Sequence, residues 1–188
     1  TRIRLAQLAE GENDFLRPIA LIQAESKDKE ATVDVLKQHL IENEKIDPER
    51  IAVATGSQRE LDGIDLFDPK CRIEYIITME ALKEGWDCSF AYVFCSAANI
   101  HSGKDVEQLL GRVLRMPYAK RRRQDDLNRA YAHVSSPGFA QAAQQLRDRL
   151  VAMGFEEEEA NTFVQPAQRT LVDTGGHSLL GYQPPPPL

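Results

Sequence analysis

Arg112 and Arg115 stand three residues apart, with Gly111 directly before the first and Gln108 one helical turn earlier. On a helix that spacing lets both guanidinium groups point the same way. Arginine supplies planar, permanently charged donors that clamp phosphate oxygens. Such a pair suits the neutralising of charge that develops on a transferring γ-phosphoryl group. Gln108 can orient a phosphate or a water by hydrogen bonding, and Gly111 removes a side chain where a ligand or a sheet comes close. Further upstream, Gly85 can take positive φ and close a short helix, and Asp87 can accept from a ribose hydroxyl or restrain an arginine. Thr78, Thr55 and Gly56 offer hydroxyl and backbone donors of the kind that suit a nucleic-acid phosphate. On spacing alone, a surface helix with two solvated arginines would serve as well, so the elements around these residues decide between the readings.

Those elements alternate. Leu5, Leu8 and Ala9 give residues 1–14 a partial helical stripe, the end of a preceding region. Pro18 introduces a short apolar run at 19–22, Ile51–Ala54 is a second, 73–77 a third ending at Thr78, 90–95 a fourth and 130–134 a fifth. Between and after them, 29–43, 79–84, 102–114 and 138–153 carry helical spacing or length, and Pro117 stops the third of these helices. Apolar strands of four to six residues alternating with amphipathic helices predict βαβ units and a largely parallel sheet covered on both faces. In such a sheet, binding residues gather at the carboxyl ends of the strands. Thr55, Gly56, Thr78, residues 78–87 and residues 96–103 all occupy such positions. The domain therefore runs from 15 to 153, and 154–188 reads as a short helix followed by a flexible end with Pro184 to Pro187 in succession.

Composition narrows the function classes. The net charge is −6, which disfavours a passive nucleic-acid coat. Between Gln108 and Gln124, however, every charged side chain is basic: Arg112, Arg115, Lys120, Arg121, Arg122 and Arg123. A local basic patch binds phosphates despite an acidic total; a solvated loop is the plainer reading of 120–123. Cys71, Cys88 and Cys95 lack the paired spacing of a zinc site, so free thiols in a reducing, cytoplasmic setting are expected. No metal ligand set is expected, and His39, His101, His133 and His177 pair with no nucleophile in a catalytic order. No apolar run reaches membrane-spanning length, and no dinucleotide fingerprint is present. The Gly-rich phosphate loop with its Lys-Ser/Thr is also missing from the sequence, so the reading is one half of an ATP-driven motor. The opening at Thr1, in the middle of a helical pattern, is read as that of an excised fragment.

Two stretches carry a family resemblance. Residues 76–87, Ile-Ile-Thr-Met-Glu-Ala-Leu-Lys-Glu-Gly-Trp-Asp, resemble the fifth conserved motif of superfamily 2 helicases. Residues 108–115, Gln-Leu-Leu-Gly-Arg-Val-Leu-Arg, resemble the sixth. Their particular forms look most like the restriction subunit of type III restriction–modification enzymes, and the strand beginning at Pro18 resembles the fourth motif. The resemblance spans roughly residues 15–135 and implies a RecA-like helicase C-terminal domain, a three-layer α/β sandwich. It implies Arg115 as the arginine finger, Arg112 as a second γ-phosphate contact assisted by Gln108, and Gly85, Asp87 and Gly111 beside the nucleotide. Thr55, Gly56, Thr78 and Lys83 would meet the nucleic-acid backbone, with Lys120 and Arg121 as basic-loop contacts. ATP and Mg2+ would be held mainly by an N-terminal RecA-like domain of a longer parent polypeptide. Duplex DNA and a methyltransferase/specificity subunit are the further partners implied, with no membrane. The sequence departs from a full member in lacking the first motor domain and any nuclease constellation after residue 135. Three alternatives stay open: a repair helicase, an RNA helicase of the same superfamily, and a non-catalytic RecA-like scaffold that binds a protein partner.

Overall fold

The computed structural model describes residues 1–79, 88, 90–97, 118 and 120–134. Five strands form one sheet: β1 (Ile19–Gln23), β2 (Ile51–Ala54), β3 (Tyr75–Thr78), β4 (Ala91–Ser96) and β5 (Tyr131–Val134). Their order is β2-β3-β1-β4-β5, and every pairing is parallel. A parallel sheet buried on both faces needs strands without polar alternation. Here Ile19, Leu21, Val53, Ile76, Ile77 and Phe94 are all fully buried. The architecture is the expected α/β sandwich with a mainly parallel sheet, consistent with a RecA-like fold.

Two α-helices are described, α1 (Arg2–Ala9) and α2 (Val33–Glu42). Although the sequence assigns residues 1–14 to a preceding region, Leu5 and Ala9 of α1 lie in the same buried cluster as the sheet. Arg2 is buried too, its guanidinium donating to the Tyr75 hydroxyl at 3.2 Å and pairing with Glu74 at 2.8 Å.

Helix α2 is shorter than the predicted 29–43. Its first turn is set by Thr32, whose hydroxyl accepts from the Val35 amide at 3.4 Å. The residues before it fold back instead, with Glu25 and Ala31 exchanging hydrogen bonds. Lys45, at φ 57°, takes the chain out of the helix, and Ile46 donates back to the Leu40 carbonyl at 2.9 Å. Strands β3, β4 and β5 begin one or two residues later than their apolar runs. Ile73 is buried outside the ladder, and Phe90 is spent on the turn into β4. The helices expected at 79–84, 102–114 and 138–153, and the tail from 154, lie outside the described residues except for Met79, which stands in a bend.

Candidate nucleic-acid interface

The parallel register aligns the last residues of the strands in one row: Ala54, Thr78, Gln23, Ser96 and Val134. Three of the five are polar, in strands that are otherwise mostly apolar. Thr78 and Ser96 are buried. Ser96 Oγ donates to Gln23 Oε1 at 3.2 Å, and the Ala97 amide donates to the Gln23 carbonyl at 3.0 Å. The connection leaving β1 runs towards β2, and that leaving β4 runs towards β5. The sheet's topological switch therefore falls between Gln23 and Ser96, where open α/β sheets place their ligands. Gln23 escaped the sequence reading because it looks like the polar end of an apolar run; only the strand order reveals it.

Thr55 and Gly56 continue from the same edge. The Thr55 amide donates to the Gln58 carbonyl at 2.7 Å, and its hydroxyl accepts from the Gln58 amide at 3.0 Å. Residues 58–60 then fold back on β2: Ala54 and Arg59 form an antiparallel bridge, and the Val53 amide donates to Glu60 Oε2 at 2.7 Å. This closes a tight polar turn that presents Gly56 to solvent. A Cβ built on Gly56 would meet no atom within 4 Å, so the fold itself does not require glycine there.

Lys120 and Arg121, from the same predicted contact set, lie elsewhere. Lys120 Nζ is 3.3 Å from Asp14. Arg122 is buried, its guanidinium 2.7 Å from Asp14 and 5.4 Å from the centre of the Tyr118 ring. The Arg123 amide donates to Glu12 at 2.9 Å. Residues 12–14 lead into β1 and 120–130 lead into β5, so the basic loop sits at the amino ends of the strands, on the opposite edge from Thr55 and Thr78. The Arg122 hydrogen bond, followed by Lys120, holds the Asp14 carboxyl below the usual carboxylate range. Tyr92 is the extra residue of an irregularity in β4, where Ile19 pairs with Ala91 and Ala20 with Val93. Burial pushes its hydroxyl up to about 12, opposed by the Arg122 charge.

Gln108, Gly111, Arg112, Arg115, Lys83, Gly85 and Asp87 lie outside the described residues. In the chain, the first four belong to the stretch between β4 and β5 and the last three to the stretch between β3 and β4. The three cysteines form no disulfide, and burial pushes the Cys95 thiol up to about 11, so it carries no thiolate at neutral pH. Among the described residues no group of three or more His, Cys, Asp or Glu could hold a metal ion. Among them, too, no helix is long and apolar enough to cross a membrane.

No family model and no curated protein matches the chain. Among solved structures it is similar to the Mycobacterium smegmatis helicase Lhr bound to single-stranded DNA and AMP-PNP, at 16% identity and a TM-score of 0.46. That match is distant and partial: it covers 78% of this chain and 18% of the helicase, so the chain spans less than a fifth of that protein's length.

Proposed function

We propose that this chain is the second motor domain of an ATP-dependent DNA helicase or translocase, of the type III restriction branch. The observation that carries the reading is positional. The segment 76–87 begins within β3 and continues in the chain beyond its last residue, Thr78, while 108–115 belongs to the stretch of chain that joins β4 to β5. In a parallel sheet ligands bind at the carboxyl ends from which both stretches depart. Arg115 acts as the arginine finger, with Arg112 and Gln108 beside it and Gly85, Asp87 and Gly111 framing the nucleotide. Thr55, Gly56, Thr78 and Lys83 meet the backbone of duplex DNA, and Lys120 and Arg121, on the opposite edge of the sheet, contact nucleic-acid phosphates separately. ATP and Mg2+ are held mainly by the N-terminal motor domain of the longer parent, and a methyltransferase/specificity subunit is its further partner.

The test is DNA-stimulated ATP hydrolysis by that parent, wild type beside Arg115→Ala. The expected outcome is a fall in kcat of about 10³-fold or more with DNA affinity largely kept, because the arginine's hydrogen bonds strengthen in the transition state. A kcat close to wild type would remove the arginine-finger role and favour a scaffold that binds a protein partner.

A further inference from the structure

The amino-end edge of the sheet carries an aromatic cluster that the motor reading does not use. Phe90 is 1% exposed and forms its centre. Around it stand Phe67 at 4.5 Å between ring centres, Phe15 at 6.0 Å and Tyr118 at 6.3 Å. These three outer rings remain 40%, 37% and 43% exposed respectively.

Tyr118 is the most constrained of them. Its backbone has φ 59°, the left-handed region that a bulky side chain adopts only when the surroundings impose it. Its hydroxyl donates to the Phe15 carbonyl at 3.1 Å, its edge meets Phe67 at 5.5 Å, and the Arg122 guanidinium lies over the ring at 5.4 Å. The ring is thus fixed in place while much of its surface stays open. Lys120, paired with Asp14 at the surface, and Arg121, both exposed, follow it two and three residues on. A rigid aromatic surface beside exposed cations is the combination that holds unpaired nucleotides: bases stack on rings, and phosphates meet the cations. Duplex DNA offers no free base face to such a surface.

We infer that this edge is a second nucleic-acid site, a stacking platform for single-stranded nucleic acid built from Tyr118 and Phe67 with Arg121 and Lys120 on the phosphates. It rests on the nucleic-acid reading above but lies on the opposite edge from Thr55 and Thr78. In a motor, it would hold a separated strand away from the strand-end contacts.

Fluorescence anisotropy with a labelled oligothymidylate at low salt, on the full chain, tests this. Tyr118→Asn keeps a residue that tolerates positive φ, and Phe67→Leu keeps the apolar packing. Each is expected to weaken binding about 5- to 150-fold, the worth of one stacked base, with a cooperative thermal melt showing that the variant is still folded at the assay temperature. If both variants bind like wild type while Thr78→Val weakens binding, the platform is overturned and the strand-end site stands. Undetectable binding of the oligomer by wild type also overturns it, and the ATPase assay on the parent decides the motor reading separately. Displacement of the oligomer by a peptide of residues 181–188, or a dimer that Tyr118→Asn dissolves, would give the face to a protein occupant and overturn the proposal as well.

Discussion

Arg121 and Arg122 are adjacent and chemically identical, yet one faces solvent and the other is buried against Asp14. What separates them is a carboxylate 108 positions upstream, which no local pattern in the sequence can register. The run at 120–123 was legible as basic, but its division into one structural cation and exposed neighbours was not. Asp14 makes this testable through acid. Its carboxyl is held below its unfolded value by Arg122 and then Lys120, so the stabilisation is present above the unfolded pKa and lost as pH falls through the folded one. The stability gap between wild type and Asp14→Asn in urea should therefore be widest near neutrality and narrow towards pH 3. A gap independent of pH would mean the pair contributes geometry alone. At Gly56, where a Cβ meets nothing, Gly56→Ala should leave the melting temperature within about 2 °C of wild type. If a nucleic-acid backbone approaches there, duplex affinity should still drop; unchanged affinity would remove Gly56 from the contact set.

At the scale of elements, the strands were easy to read because a doubly covered parallel sheet demands uninterrupted apolar runs. Their order was not, since runs such as 19–22 and 51–54 are interchangeable as letters. That is why Gln23 went unnoticed until β1 and β4 were seen side by side. The long connection from Thr55 to Glu74 was legible only as polar. Its anchor is Arg17, buried just before β1, whose guanidinium donates to the carbonyls of Leu66 at 2.8 Å, Asp68 at 2.9 Å and Pro69 at 3.3 Å. Arginine's fixed fork suits several acceptors at once, and a lysine ammonium does not reproduce it. Arg17→Ala should cost about 2–4 kcal/mol of unfolding free energy, as several charge-assisted bonds are lost together. Arg17→Lys should recover only part of this. Full recovery by lysine would mean that charge, not the fork, holds the connection. Helix α2 offers a smaller check: Thr32→Ala should cost about 0.5–1 kcal/mol through loss of its cap.

For the whole molecule, the net charge of −6 means any nucleic acid must be met by local cations against a repelling background. Binding should therefore weaken steeply with salt, and Arg121→Ala should lower the slope of log affinity against log salt by roughly 0.7–0.9, one phosphate's share. An unchanged slope would return Arg121 to the solvent. The two faces of this reading sit on opposite edges of one sheet, which the sequence could not convey because it orders residues along the chain and not across it.

The fold-back of residues 58–60 on β2 has a consequence for the behaviour of the chain in concentrated solution. Strand β2 is the last in its row, and an outermost strand with open amides invites pairing with another molecule. Here the Val53 amide is taken by Glu60 and the Thr55 amide by Gln58, so the margin of the sheet is already sealed. Glu60→Ala would unseal it, and light scattering should then detect growing clusters under conditions where the wild type stays dispersed. The turn that offers Thr55 and Gly56 to a ligand is thus also the chain's guard against fibrous self-assembly.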